Sequence, residues 1–339
     1  MHRVNIYFHG NCLDGAVSAA IFTLFYQEKL VPDAEFYYHP MAHTPGFSWD
    51  GVDFDGDDNV ILDFRYAPSD RVKWFFDHHA TTFSEPAHRK HFERRHELPP
   101  HCFWNPSAPS NAGFLAAMLR KHYGYQLPTI GERLLVWTDM IDSANFPSPE
   151  IPVELVELAP AFASLLEGST DPQDTTKFIA DLVAGFSFDD MSRDPYWSNR
   201  LNHVRQANWD AVEDVKRVQK VHDGVSFVDL SSAERDSFNK FIPYYLAPAA
   251  LYSVGLLLYR GRVKLSVGTN PWHDLRHAEP VLDIGALCEK HGGGGHTGVG
   301  AVSFRLDEAE RARTLAHEFV EHLQKHHAQL KIEESKRRL

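Results

Sequence analysis

Four short apolar segments, each followed by an acidic residue or a histidine, constrain the fold of this chain more than any other feature. Residues 4–8 lead into His9, residues 59–62 into Asp63, residues 72–76 into Asp77-His78-His79, and residues 133–137 towards Asp139. In a parallel sheet, the carboxyl edge at which such strands end is where binding sites are built. The pattern therefore predicts an α/β domain with a polar site at one sheet edge.

Helix-like segments alternate with these strands. Residues 16–28 and 110–122 have helical patterns, and residues 36–38 form a further strand candidate. This alternation predicts a largely parallel sheet flanked by helices. Residues 50–58 contain five aspartates and no basic residue. We interpret them as a solvated loop, with a cation site as the alternative.

A second, smaller α/β domain is predicted after a helical linker. The expected strands are residues 225–230, 253–259, 262–267 and 300–305, and the expected helices are residues 243–250, 281–291 and 308–329. The predicted organisation is a domain over 1–194, a connector helix over 195–221, a domain over 222–330 and a frayed charged tail over 331–339. Residues 150–194 receive no role from the sequence.

Composition narrows the class of protein. The 339 residues are 43% hydrophobic and include three scattered cysteines, Cys12, Cys102 and Cys288. Scattered cysteines favour a reducing compartment over a disulfide framework. The first strand begins at once, which predicts no signal peptide, and no apolar run approaches the length of a membrane span. We therefore predict a cytoplasmic globular protein that does not associate with membranes.

The charge of the chain limits its partners. The formal net charge is −12, and an acidic protein is not expected to bind long nucleic acid by neutralising many phosphates. The expected substrate is a short RNA or DNA oligonucleotide or a small nucleotide phosphate, or else not a nucleic acid, and long duplexes are not expected partners. The sequence leaves a homodimer open.

These residues carry a resemblance to a known family. The chain resembles the DHH phosphoesterase superfamily in its four motifs, which here are His9…Asp14, Asp63, Asp77-His78-His79 and Asp139. The run from Gly292 to His296, followed by Thr297-Gly298-Val299-Gly300, is similar to the glycine-rich signature of the associated DHHA1 domain. The match extends from His9 to about Phe304. The His-Gly-Asn-Cys-x-Asp-Gly form of the first motif looks most like the nanoRNase B branch, which degrades very short RNAs.

The resemblance implies a site with two cations. His9 and Asp63 would hold the first cation, and Asp63 would bridge to the second. Asp14, His78 and Asp139 would complete the shell of the second cation. Mixed Asp and His ligands suit Mn²⁺, with Mg²⁺ or Co²⁺ as substitutes. Asp142 rivals Asp139, which is preferred because it directly follows the predicted strand.

The predicted catalytic residues are Asp77, His78 and His79. The resemblance implies that His79 contacts the substrate phosphate or an outer carboxylate. Asp77 would orient the adjacent histidines or a ligand water, as carboxylates around metal sites do.

One position departs from the family pattern. Most branches carry a further Asp ligand two residues before Asp14, where this chain has Cys12. A thiolate is a soft ligand that favours Zn²⁺ or Fe²⁺ over Mn²⁺. The alternative is a small buried thiol beside a weakly held first cation, and both interpretations stay open.

The second domain is expected to bind the substrate. The resemblance implies that Gly293, Gly294, Gly295 and His296 reach a non-scissile phosphate or a base from across an interdomain cleft, with Asn270, Arg276 and His277 as possible helpers. Consecutive glycines let backbone N–H groups approach an anion closely. A flexible linker is the alternative. Trp272 either stacks on a base or packs in the core.

Together these features predict a metal-dependent phosphodiesterase that hydrolyses short oligonucleotides to nucleoside monophosphates with a metal-activated water. One alternative is a phosphatase for a small ester, such as 3′-phosphoadenosine 5′-phosphate or a dinucleotide. Another is a catalytically silent nucleotide-binding protein in which Cys12 marks the loss of the first cation. The number of bound cations separates the silent protein from the enzymes.

Overall fold

The computed structural model describes residues 2–42, 46–96, 101–235, 238–259 and 261–337. The chain divides into two compact units. The first comprises Met1–Asn145 and Glu157–Leu201, and the second comprises Phe146–Val156 and Asn202–Leu339. The division falls inside the connector predicted over 195–221. Among the described residues, no helix has the length and apolar character that crossing a membrane requires.

The first unit contains a five-stranded parallel sheet. Its strands are β1 (Arg3–His9), β2 (Glu35–Met41), β3 (Asp58–Leu62), β4 (Val72–Asp77) and β5 (Cys102–Trp104), in the order β2-β1-β3-β4-β5. Residues in β1, β3 and β4 are almost entirely buried, as expected for strands with helices on both faces. Because these three strands are neighbours and parallel, their carboxyl ends meet at one edge.

Helices connect and cover the sheets. They are, in chain order, α1 (Leu13–Lys29), α2 (Pro86–His96), α3 (Asn111–Tyr123), α4 (Thr129–Asp142), α5 (Glu150–Glu154), α6 (Leu158–Gly168), α7 (Pro172–Val183), α8 (Phe188–Arg193), α9 (Pro195–Val218), α10 (Ile242–Leu246), α11 (Ile284–Glu289) and α12 (Ala309–Arg337). The helices predicted over 16–28, 110–122 and 195–221 are confirmed by α1, α3 and α9.

The strand predicted over 133–137 is wrong, because these residues form the middle of α4. Val136, which the apolar run placed in a buried strand, is 62% exposed, whereas Thr138 is buried. A short apolar run cannot be assigned to strand or helix by periodicity alone. The correction matters for the site, because a helix presents Asp139 and Asp142 differently from a strand.

The second unit contains a six-stranded mixed sheet. Its strands are β6 (Lys220–His222), β7 (Val225–Arg235), β8 (Tyr252–Tyr259), β9 (Arg262–Thr269), β10 (Gly294–His296) and β11 (Val299–Phe304), in the order β10-β11-β9-β8-β7-β6. Within this sheet, the β7–β8 pair is parallel and the other described pairs are antiparallel. Apolar residues of β7–β9, β11, α11 and α12 form its core. The tail expected to fray from residue 331 instead continues α12 to Arg337.

Candidate metal centre

The residues that the sequence singled out converge at the carboxyl edge of the parallel sheet. His9 is the last residue of β1, Asp63 follows β3, and Asp77 ends β4 directly before His78 and His79. Gly15 lets α1 begin close to this edge, because a Cβ atom there would lie 2.1 Å from the carbonyl oxygen of His9. The order of the strands therefore brings three distant segments together.

Asp63 lies at the centre of the cluster. Its Oδ2 is 3.4 Å from Nδ1 of His9, and its Oδ1 is 3.4 Å from Nε2 of His78. The carboxylate is buried, and neither oxygen accepts a hydrogen bond from the described residues. Its backbone has a left-handed conformation with φ of 54°, which is uncommon outside glycine and often occurs at functional sites. Each oxygen of Asp63 thus faces a different group of potential ligands.

His78 is oriented by the backbone. Its Nδ1 lies 3.1 Å from the carbonyl oxygen of Ala108, an acceptor that fixes the proton on Nδ1. Its Nε2 is buried, has no hydrogen-bond partner among the described residues, and lies 3.7 Å from Asp14 and 3.3 Å from Asp142. A bond between the other ring nitrogen and a carbonyl is the usual way in which a metal-binding histidine is held.

Asp14 is held by the beginning of α3. Its two oxygens accept hydrogen bonds from the backbone N–H groups of Asn111 (2.6 Å) and Ala112 (2.7 Å). These N–H groups belong to a helix N-terminus, where a carboxylate is favoured by the helix dipole. Each oxygen retains a second lone pair, so Asp14 is rigidly placed and can still act as a ligand.

Asp142, and not Asp139, is the carboxylate that α4 brings to His78. Asp142 groups with Asp14 and His78, with ligand atoms within 4.8 Å of one another. Oδ1 of Asp139 instead accepts a hydrogen bond of 2.5 Å from Ser110, which caps α3. We therefore replace Asp139 by Asp142 in the proposed ligand set. The sequence preference for Asp139 rested on the strand that the structure does not contain.

Cys12 lies beside the first group of ligands. Its sulfur, the ring of His9 and the carboxylate of Asp63 have ligand atoms within 4.8 Å of one another. Cys12 occupies the N-cap position of α1 without capping it through its side chain. Burial and, next, the negative charge of Asp63 raise the pKa of the Cys12 thiol well above its usual range. Without a cation, Cys12 is therefore a neutral thiol.

His79 is paired with Asp77. Its Nδ1 lies 2.8 Å from Oδ1 of the fully buried Asp77. The carbonyl oxygen of His79 accepts a hydrogen bond of 2.8 Å from the indole of Trp104, the last residue of β5. The ring and the backbone of His79 are thus both held in place, and this arrangement supports the orienting role predicted for Asp77.

The buried carboxylates dominate the electrostatics of the cluster. Burial raises the pKa of Asp14 well above its usual range and that of Asp142 to about 6, and Asp63 adds to both effects. Burial disfavours a charged His78, but Asp63 and then Asp14 and Asp142 raise its pKa to about 10. Burial would also raise the pKa of Asp63, yet His78 and His9 hold it below its usual range.

These residues fit divalent cations. Buried carboxylate oxygens without hydrogen-bond donors are costly unless a cation or a proton compensates them. Asp63 groups with His9 and Cys12 and also with His78 and His79, and His78 in turn groups with Asp14 and Asp142. Oxygen and imidazole donors suit Mn²⁺ and related ions. The site thus has the donors for two cations with Asp63 between them.

Comparison with known proteins supports the fold. No protein-family model and no curated protein matches the chain. Among solved structures, the pGpG-specific phosphodiesterase PggH from Vibrio cholerae is 21% identical, with a TM-score of 0.64 over 94% of this chain and 98% of that one. The likeness shows a shared fold. It confirms the fold that the resemblance to the DHH superfamily implied.

Two further solved structures match less closely. Exonuclease RecJ bound to manganese is 13% identical, with a TM-score of 0.45 over 94% of this chain and 89% of RecJ. The DHH domain of a member of a family of ribosomal proteins is 14% identical, with a TM-score of 0.40 over 94% of this chain and 86% of that domain.

The glycine run has a structural role in the second unit. A Cβ atom on Gly293 would lie 2.1 Å from the carbonyl oxygen of Ala301, and one on Gly295 would lie 2.1 Å from that of Val299. Both glycines thus permit β10 to pair closely with β11, which a flexible linker does not explain. Gly294 has open space at its Cβ position. The side chain of His296 lies outside the described residues, so its proposed role stays a prediction.

Asn270 is withdrawn from the predicted substrate-binding residues. Its side chain is buried, donates to the carbonyl oxygens of Pro248 and Ala250, and accepts from the backbone N–H of Trp272. Trp272 donates its indole N–H to the carbonyl oxygen of Phe146 and contacts Phe241, which supports packing over base stacking. Arg276 is exposed and remains a candidate.

Sequence reasoning missed Asn11. This residue of the first motif has φ of 54°, and its side chain donates to the carbonyl oxygens of Leu166 (3.2 Å) and Ser169 (2.6 Å) at the end of α6. Ser169 in turn donates to the buried Asp174, which also accepts from Arg200. The helical segment without an assigned role therefore braces the loop that carries Cys12. The Gly-Asn pair in this motif is a turn signal, but the distant partners of Asn11 leave no local trace.

Proposed function

We propose that this protein is a DHH-type phosphodiesterase that hydrolyses short oligonucleotides, down to dinucleotides, to nucleoside monophosphates with two divalent cations. The observation that carries the proposal is the position of Asp63, whose buried oxygens face His9 and His78 separately. A carboxylate in this position can bridge two cations, and paired cations serve in-line hydrolysis of phosphate diesters.

The proposed ligands follow the two groups around Asp63. His9, Asp63 and Cys12 would hold one cation, and Asp14, Asp63, His78 and Asp142 would hold the other. Mn²⁺ is the proposed ion, with Mg²⁺ or Co²⁺ as substitutes. When bound, the cations would activate the attacking water and stabilise the charge that develops on the phosphoryl group.

His79 is the proposed contact to the substrate phosphate. Burial opposes its charge, but Asp77, which binds its Nδ1, raises the pKa of the ring above its usual value. Both nitrogens of a charged imidazole are donors, and a donor with a positive charge binds a phosphate oxygen strongly. Asp77 thus positions the imidazole and favours its charged form.

Two features support a short substrate. The net charge of −12 disfavours extended contacts with a long polyanion. The phosphodiesterase with the shared fold is named as specific for pGpG, which supports linear dinucleotides as the first substrates to test. A small phosphate monoester, such as 3′-phosphoadenosine 5′-phosphate, is the competing substrate class.

The test is hydrolysis by chelator-washed protein supplied with Mn²⁺, using labelled di- to decanucleotides and the adenosine bisphosphate. We expect nucleoside monophosphates from the short oligonucleotides. Asp63→Asn should lower kcat/KM by more than about a hundredfold. Mutation of a residue that only contacts a metal ligand costs up to about a hundredfold in activity, so a larger loss indicates a direct ligand. Asp50→Asn, a change in an exposed loop, is the matched control and should behave like the wild type.

Metal stoichiometry provides the second measurement. Two cations per chain, with hydrolysis of the diesters, are the expected result. If only the adenosine bisphosphate is hydrolysed, the substrate class is small phosphate monoesters and not oligonucleotides. If the protein binds one cation or none, and binds nucleotides without hydrolysing them, it is a catalytically silent binding protein and not an enzyme.

A further inference from the structure

Helix α2 is a basic segment in an acidic protein. Its 11 residues include Arg89, Lys90, Arg94 and Arg95 against the single acid Glu93, a formal charge of +3 in a chain of −12. Arg95 binds the carbonyl oxygens of Ser69 and Val72, and Phe92 is buried. One face of α2 is therefore attached to the domain, and the opposite face is left to solvent.

The outer face presents Arg89, Lys90 and Arg94, which are all exposed. Glu93 pairs with Arg89 at 3.0 Å. Among the described parts of the chain, Lys90 and Arg94 form no ion pair with an acidic side chain. Ala87, Lys90, Glu93 and Arg94 line an open depression on this face.

This face is connected to the metal centre by direct contacts. The guanidinium carbon of Arg89 lies 5.4 Å from the ring centre of Trp104. Trp104 donates to the carbonyl oxygen of His79 at 2.8 Å, and Nδ1 of His79 lies 3.7 Å from Oδ1 of Asp63. Three successive contacts thus lead from the centre of the site to the basic helix.

We infer that Lys90 and Arg94, with Arg89 beside them, bind backbone phosphates of single-stranded substrate nucleotides beyond the phosphate that is cleaved. This inference rests on the proposed function, because it says where the additional nucleotides of a substrate longer than a dinucleotide would bind. Exposed cations that track a strand bind phosphates without reading sequence, so these contacts would depend on substrate length and not on base identity. The helix would thereby set the preference between dinucleotides and longer substrates.

The test compares substrates of two lengths in one charge-reversal variant. Lys90→Glu with Arg94→Glu alters only exposed side chains of α2. Lys121→Glu with Arg193→Glu, at exposed positions of α3 and α8, changes the net charge by the same amount. We expect the ratio of kcat/KM for a hexanucleotide to that for a dinucleotide to fall at least tenfold in the α2 variant and to stay unchanged in the control variant.

A binding measurement keeps the inference separate from catalysis. Fluorescence anisotropy of a labelled hexanucleotide with chelator present needs no hydrolysis. The slope of log affinity against log salt concentration should become shallower by about 1.4 in the α2 variant, which is roughly 0.7 for each of two lost single-strand phosphate contacts. Equal effects on both substrate lengths, an unchanged slope, or the same loss in the control variant would overturn the inference. A wild-type protein that binds the hexanucleotide through α2 but hydrolyses nothing would refute only the proposed function.

Discussion

Asp142 and Asp139 lie one turn apart on α4 and have different partners. Asp142 faces His78 and Asp14, whereas Asp139 accepts a hydrogen bond from the Ser110 hydroxyl. Asp142→Asn should therefore lower Mn²⁺ affinity at one of two sites by at least about tenfold and reduce hydrolysis accordingly. Asp139→Asn keeps an acceptor oxygen, so it should reduce the free energy of unfolding by about 1 kcal/mol and leave the metal content unchanged.

Equilibrium Mn²⁺ titration and chemical denaturation of both variants measure these effects. Each variant serves as the control for the other, because both remove one carboxylate from the same helix. Loss of metal in Asp139→Asn with normal binding in Asp142→Asn would restore the ligand that the sequence favoured.

Cys12 provides a second prediction for a single residue. Its thiol lies beside His9 and Asp63 and is neutral without a cation. Cys12→Asp should raise Mn²⁺ affinity, because a carboxylate is a harder ligand, and Cys12→Ser should shift the metal preference away from Zn²⁺. Asp would also cap α1, so Cys12→Asn, which caps without a charge, is the control for helix stability. Equal metal affinity in all four proteins would make Cys12 a packing residue.

Among the elements, the segment α6–α7 supports the first-motif loop through Asn11. Asn11→Gly keeps the left-handed backbone but removes the bonds to Leu166 and Ser169. We expect the free energy of unfolding to fall by about 1–3 kcal/mol and the cation beside His9 and Cys12 to bind more weakly. The cation beside Asp14 should be less affected, because α3 holds that carboxylate independently.

The control for Asn11 is Asn208→Gly, which removes a similar bond from an amide to the carbonyl oxygen of Val153 in the second unit. It should destabilise the protein without changing metal binding. If Mn²⁺ titration gives the same affinities for both variants, Asn11 has only a structural role.

The strand-end residues could be predicted from sequence because two local signals coincide. The apolar runs before His9, Asp63 and Asp77 are buried strands, and parallel strands place their carboxyl ends at one edge. The same reasoning could not identify Asp142 rather than Asp139 as the metal ligand. The run before it is apolar but helical, and its choice over Asp139 depends on the Ser110 hydroxyl at the start of α3.

Long-range partners explain what else the local pattern did not show. Asn270 looked available in a polar stretch, but its amide is used by carbonyl groups about 20 residues away. The substrate-binding role of the glycine run stays a prediction, but the close approach of Gly293 and Gly295 to the neighbouring strand β11 could not be inferred from the run itself. Such contacts depend on how elements pack, which a local pattern does not encode.

In the metal-free protein, His78 should carry a proton near neutral pH. Burial opposes this charge, but Asp63, Asp14 and Asp142 raise the pKa of the ring to about 10, against roughly 6.5 in the unfolded chain. Because the folded pKa is raised, the stability that this proton contributes is complete below about pH 6.5 and is lost as the pH rises towards 10. The Tm of metal-free protein should therefore fall over this range more in the wild type than in His78→Gln.

Cation binding should show the opposite dependence on pH. A ligand nitrogen must be deprotonated, so binding at His78 releases its proton, and Mn²⁺ affinity should rise about tenfold per pH unit for each proton released. Calorimetric titration at about pH 6.5–8.5, in buffers with different ionisation enthalpies, measures the number of protons directly. At least one proton per chain is expected, and more at lower pH, where Asp142, with a pKa of about 6, begins to contribute. An affinity that does not vary with pH, or cation binding without proton release, would contradict both the charge state of His78 and its place in the metal shell.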